Sequence, residues 1–229
     1  MPKPFFNLGA SMMNPNQTFK LYNHFRSSAS YRVRIALHLK NLPYEYISVH
    51  LLNGEQRQAQ FAALNPEKLV PVLKTGDDLI SQSLAIIEYL EDVAPTPALL
   101  PRDPIARAKV RAFALAIACD VHPLNNLRVL QYITKDMGQT DAVKDEWYRH
   151  WIAEGLSPLE QLMAARPTQS AFCFGDQPGL ADVCLIPQLF NARRTHCDVS
   201  PYPTLLNIEA NCLAHEAFKR AAPDKQPPA

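Results

Sequence analysis

Serines crowd the segment Arg26-Ser27-Ser28-Ala29-Ser30-Tyr31-Arg32, and hydroxyls so placed at the start of a helix can hold an anion such as a thiolate. Residues 19–24 alternate in the manner of a strand, and after the serines Val33, Ala36 and Leu37 fall on one helical face, with Ile35 and Leu39 beside it. The serines thus stand where a strand gives way to a helix N-terminus. Unpaired backbone amides and the positive end of the helix dipole favour negative charge there, and a serine hydroxyl adds one more donor. A free thiol ionises near about 8.5, so one or two units of lowering produce thiolate near neutral pH. Ser27 and Ser28 are both candidates, and either also suits an ordinary N-cap. Arg26, directly before them, offers a guanidinium for bidentate contact with a carboxylate or for charge that develops in a reaction.

Three further places carry chemistry. Val70-Pro71 stands at a strand entrance. With a cis bond there, the Val70 amide and carbonyl face outward and pair with a peptide-like ligand; with a trans bond the proline only starts the strand. Gln82-Ser83 precedes Leu84, Ile86, Ile87, Tyr89 and Leu90 and so opens another helix, with a hydroxyl and a carboxamide suited to a carboxylate or, for Ser83, a plain cap. Asp120-Val121-His122-Pro123-Leu124-Asn125-Asn126-Leu127-Arg128 is a polar patch in apolar helical surroundings, and Pro123 is expected to bend that helix into a cleft wall.

The elements that must position these groups fall into two parts. Residues 19–92 alternate between strand and helix: strand, helix 28–39, strand 44–49, helix 55–64, a hairpin turning at Thr75-Gly76-Asp77, and helix 83–92. A right-handed parallel crossover and a mixed four-stranded sheet follow. Pro95, Pro97, Pro101 and Pro104 mark residues 93–104 as a stiff linker. From residue 105 to 229 apolar residues recur at helical spacing over 106–119, 124–137, 142–164, 180–192 and 205–214, so the second domain is all helical, ending in a frayed tail from 223. Residues 1–18 read as a flexible arm without the apolar core of a secretory signal. A formal net charge of +1 without long runs gives no footprint for nucleic acid or an anionic membrane, and no apolar run is long enough to span a bilayer. The five cysteines show no regular spacing, so neither a disulfide framework nor a metal site is expected, and a cytoplasmic setting fits.

Taken together, Arg26-Ser27-Ser28 with Arg32-Val33-Arg34-Ile35-Ala36-Leu37, Leu64-Asn65-Pro66, Leu69-Val70-Pro71, Gln82 to Leu90, Ala181-Asp182 through Gln188, and Pro201-Tyr202-Pro203 resemble the zeta class of the glutathione transferases, which includes maleylacetoacetate isomerases. The resemblance implies a thioredoxin-like α/β N-terminal domain, an all-α C-terminal domain, a homodimer, and glutathione as cosubstrate. It implies a cis Val70-Pro71 bond, Gln82 and Ser83 at the γ-glutamyl end, Val70 at the cysteinyl backbone, Gln56 at the glycyl side, and Ser27 or its neighbour Ser28 at the thiol. Similarity to bacterial maleylacetoacetate and maleylpyruvate isomerases adds Arg26, His122, Asn126, Arg128 and Arg194 as contacts to a cis-diacid substrate, with Arg193 left to solvent. The implied activity is glutathione-dependent conversion of maleylacetoacetate to fumarylacetoacetate in phenylalanine and tyrosine breakdown.

Departures from the family pattern sharpen this. The cysteine usual after the paired serines is Ala29, which argues against chemistry that needs a protein thiol at that spot. The usual Ser or Thr cap before the Asp182 helix is Gly179, a change that costs a few tenths of a kcal/mol. Maleylpyruvate isomerisation in gentisate degradation is the alternative reading, with Leu127 weighing mildly against it. A glutathione transferase or dehalogenase acting on α-halo acids comes next. A non-catalytic scaffold fits poorly with the retained hydroxyl and Gln-Ser pair.

Overall fold

A computed structural model describes residues 18–228; the expected arm lies outside the described residues apart from Thr18. The first strand, β1 (Phe19–Asn23), is followed by α1 (Ser28–Leu39) and by β2 (Tyr44–Ser48), which pairs parallel to β1 with Phe19 opposite Tyr44. β3 (Val72–Thr75) runs antiparallel to β1, and β4 (Asp78–Ser81) antiparallel to β3. The order β2-β1-β3-β4 is the expected mixed sheet. The hairpin turns where Gly76 takes a φ of 57°, a left-handed conformation that costs glycine little. The single helix expected over 55–64 is instead a 3-10 turn (Glu55–Arg57) and then α2 (Ala59–Leu64), because Gln58 between them is extended. The sheet unit closes with α3 (Ser83–Val93).

The connection to the helical half is no free spacer. The Lys40 ammonium at the end of α1 is buried and bonds Glu91 at 2.8 Å, the Ala94 carbonyl at 2.6 Å and the Pro97 carbonyl at 3.0 Å. Glu91 in turn accepts from the backbone amides of Leu99 and Leu100. One buried ion pair therefore satisfies a polar stretch that the prolines leave without internal bonds.

The second half opens with α4 (Pro104–Leu115), capped by Asp103, whose carboxylate accepts from the Ala106 amide at 2.8 Å. Here the expectation of helical stretches 106–119 and 124–137, with the helix bent at Pro123, needs correction beyond residue 115. A π-helical turn (Ala116–Val121), a 3-10 turn (His122–Asn125), α5 (Leu127–Gln131) and a second π turn (Tyr132–Asp136) stand there instead. Pro123 removes a donor, and Asn126 is extended and caps α5 with its own side chain, so the chain breaks rather than bends.

α6 (Asp141–Ala164), α7 (Leu180–Arg194) and α8 (Pro203–Ala214) lie near their expected bounds, followed by an unexpected α9 (Glu216–Ala221). The tail is not frayed at its start: Pro223 is buried, and the Gln226 carboxamide donates to the carbonyls of Arg220 and Ala222.

Helix α1 packs against α3, α7 and α9. Arg34 shows how far this enclosure goes. Its buried guanidinium gives Nε to the Ala221 carbonyl at 3.0 Å, Nη1 to Asn23 Oδ1 at 3.0 Å and Nη2 to the Phe25 carbonyl at 2.9 Å. The end of β1 is thereby tied to α9.

Two glycines are demanded by close approach. A Cβ on Gly179 would lie 2.9 Å from the Leu99 carbonyl oxygen, so the cap of α7 is made only by Asp182, which accepts from the Gly179 amide at 2.9 Å. A Cβ on Gly155, inside α6, would lie 2.1 Å from Cγ2 of Val121, the buried residue before His122. On helix propensity alone Gly155→Ala gains about 1 kcal/mol. The clash reverses the sign, and urea unfolding of G155A should show a loss of about 1–3 kcal/mol; a more stable variant would contradict this packing.

Candidate active site

The two helix N-termini picked out by the sequence open onto one cavity of about 860 Å³ between the halves. Arg26, Ser27, Ser28, Gln56, Val70, Pro71, Gln82 and Ser83 line it from the sheet side, and His122, Asn126, Arg128 and Arg194 from the helical side. Sequence-distant groups thus meet because α1 and α7 pack together.

At the start of α1 the two serines are used differently. Ser27 is the N-cap, and its Oγ accepts from the Ser30 amide at 3.2 Å, so its own proton remains free for an acceptor in the cavity. Ser28 is buried and donates to the Pro187 carbonyl of α7 at 3.4 Å. Arg26 is exposed and stacks over Phe25, its guanidinium carbon 4.9 Å from the ring centre. Ala29 lines the cavity without a thiol.

The remaining sheet-side groups are suited to receive backbone and carboxylate. The Val70–Pro71 bond is cis, and among the described residues the Val70 amide and carbonyl have no backbone partner. Gln56 is buried, and its Oε1 has no partner among the described residues. Gln82 holds a φ of 67°, a region a residue with a side chain rarely occupies, and its Nε2 donates to Glu67 at 3.0 Å.

On the helical side Arg128 and Arg194 are exposed cations at the rim. Asn126 spends its oxygen on capping the amides of Arg128 and Val129, which leaves its NH₂ as the available group. Arg194 is aimed by Asn191, whose Oδ1 accepts from its Nη2 at 2.6 Å and Nε at 3.2 Å, while Asn191 itself donates to the Tyr148 hydroxyl. Arg193 is half-exposed but not free: it pairs with the buried Glu209. His122 is pushed down to about 3 by burial and by the nearby Arg32 charge. It therefore enters the site as a neutral donor or acceptor.

Sequence reasoning missed several lining groups. Asn191 lies three residues before Arg194, and that spacing on one helix face was a usable signal. His50, Cys119 and Glu67 carried none, since only the fold brings them to the cavity. Arg32 lay inside the quoted motif but was read only as part of it.

Comparison with known proteins fits this geometry. The chain matches the families described as "Glutathione S-transferase, N-terminal domain" over residues 17–92 and "Glutathione S-transferase, C-terminal domain" over residues 141–209. It is 51% identical over 211 residues to a probable maleylacetoacetate isomerase of Vibrio cholerae, covering 91% of this chain and 97% of the relative. It is 49% identical over 208 residues to a maleylpyruvate isomerase of a Ralstonia species, covering 91% and 98%. Among solved structures, the holo form of a maleyl pyruvate isomerase, described as a bacterial zeta-class glutathione S-transferase, superposes with a TM-score of 0.90 at 48% identity, covering 92% of this chain and all, 100%, of that one. A maleylacetoacetate isomerase from Methylobacterium extorquens AM1 with bound malonate and GSH gives a TM-score of 0.88 at 39% identity, covering 92% and 100%.

The neutral His122 makes a pH prediction. Its folded value lies below the unfolded one of about 6.5, so between those values the unfolded chain binds a proton that the folded chain refuses, and stability falls as pH drops. From pH 7 to pH 5 the melting temperature of the wild type should fall further than that of His122→Gln. Equal falls would mean that His122 titrates normally.

Proposed function

We propose, from the premise that this chain belongs to the zeta class of the glutathione S-transferase family, that it is a glutathione-dependent cis–trans isomerase converting maleylacetoacetate to fumarylacetoacetate. The observation that carries this reading is the convergence, on one cavity, of two helix N-termini with a rim of exposed arginines. The first need is a place for a tripeptide thiol, the second a place for a diacid.

The residues present fit glutathione. Among the described residues the Gln56 carbonyl oxygen and the Val70 backbone edge have no partner, and Ser83 holds the first position of α3. When bound, glutathione would supply a thiolate whose reversible addition makes the cis double bond a single bond, free to turn before the thiolate leaves. Ser27 is the better candidate for holding the sulfur, because its hydroxyl proton is free while that of Ser28 is directed at Pro187. The α1 amides and dipole add to it. Arg26, Arg128 and Arg194 bind and orient the carboxylates, with Asn191 fixing Arg194. His122 and the Asn126 NH₂ contribute neutral polar contacts to the same substrate.

In this reading residues 19–92 form the glutathione-binding domain, 93–104 the linker and 105–229 the substrate domain. The protein acts as a cytoplasmic homodimer. Maleylpyruvate is the second substrate to consider, favoured by the structural match to a maleyl pyruvate isomerase.

Assaying the purified protein with glutathione and each cis-diacid tests the function; turnover of neither would overturn it. Ser27→Ala should lower isomerase kcat/KM at least tenfold, about 1.4 kcal/mol, whereas Ser28→Ala should stay within about threefold. The reverse ranking would transfer the role to Ser28. Arg194→Ala should raise KM for the diacid about tenfold and leave that for glutathione unchanged; an equal effect on both would remove it from the substrate side.

A further inference from the structure

Arg32 lies one helical turn after Ser28, at the back of the cavity and 1% exposed. Its guanidinium makes one hydrogen bond, from Nη1 to Ser83 Oγ at 3.3 Å, while Nε and Nη2 have no partner among the described residues. No acid among the described residues pairs with it either. Arg34, two residues on and equally buried, has Nε, Nη1 and Nη2 all bonded to oxygen. A cation shut away from water without counter-charge is costly, and such a cost persists where a ligand relieves it.

The anion that relieves it must sit at Ser83. Having accepted from Arg32, the Ser83 hydroxyl keeps its own proton to donate outward. Ser83 is also the first residue of α3, whose N-cap, Gln82, makes no side-chain cap bond, so the opening amides stay available. A carboxylate there meets the hydroxyl, the amides, the helix dipole and the field of an unscreened guanidinium. On the same rim, Glu67 lines the cavity beside Gln82. The γ-glutamyl end of glutathione carries a carboxylate and an ammonium on one carbon, which matches a buried cation beside a rim acid; the diacid substrate carries no cation.

We propose that Arg32 is the buried counter-charge of the γ-glutamyl carboxylate, a positioning residue that acts through Ser83 and makes the cosubstrate site demand that carboxylate. The inference rests on the glutathione reading above. The arginines then divide between the two ligands, Arg32 serving the cosubstrate and the exposed Arg26, Arg128 and Arg194 the diacid.

The test is calorimetric binding of glutathione and of 4-aminobutanoyl-cysteinyl-glycine, in which hydrogen replaces that carboxylate, to the wild type and to Arg32→Met. The wild type should prefer glutathione by about tenfold or more. In R32M the preference should fall to about threefold or less through weaker glutathione binding alone. Arg32→Gln, which removes the charge and keeps a donor, makes the same measurement should the methionine variant fail to fold. A preference unchanged by the substitution, including a parallel loss of both ligands, would overturn the inference and leave the function standing. A wild type that binds both ligands equally would overturn it too. A wild type that does not bind glutathione would overturn the functional reading and the inference with it.

Discussion

Helix α1 is enclosed on all sides, and that constraint organises the rest of the molecule. Ten of its twelve residues are buried, Arg32 and Arg34 among them. A helix with arginines and no matching acids can be buried only if neighbouring elements bring oxygen to it. Ser83 from α3 and the Ala221 carbonyl from α9 do so. The two halves are thus held together by the needs of one helix, and the cavity forms where its N-terminus emerges between them.

The electrostatics of the site follow from depth. At the rim, exposed arginines remain solvated and adaptable, as suits a substrate that must enter, turn and leave. At the floor, charges are few and fixed. His122 is neutral, and Arg32 waits on an anion at the start of α3. Two helix N-termini separated by a cis-proline strand entrance give one extended ligand three kinds of backbone contact. The buried Lys40–Glu91 pair has a quieter part, fixing the linker between the halves.

Much of this was legible in the residues. Strand and helix periods around 19–92 gave the sheet, and the serines, Val70-Pro71 and Gln82-Ser83 marked their places because caps and prolines act locally. What was hidden depends on tertiary contact. Apolar periodicity alone could not reveal that residues 116–136 fall into four short pieces, since each is too short for its period to be told from that of an α-helix. α9 is only six residues long and depends on packing against α1 rather than on its own propensity. Burial of Lys40 and Arg32 is invisible in a linear pattern, where both read as ordinary surface cations. Gly179 looked like a tolerated loss of a cap, whereas the Leu99 carbonyl leaves its Cβ no room.

In the proposed function the start of α1, with Ser27, holds glutathione as a thiolate in this cavity. Ultraviolet titration of the thiolate absorbance of protein-bound glutathione tests it most directly. In the wild type the midpoint should lie at least about one unit below the free thiol's value of about 8.5, and in Ser27→Ala it should move back toward that value. A bound thiol that titrates like the free one in both proteins would contradict it.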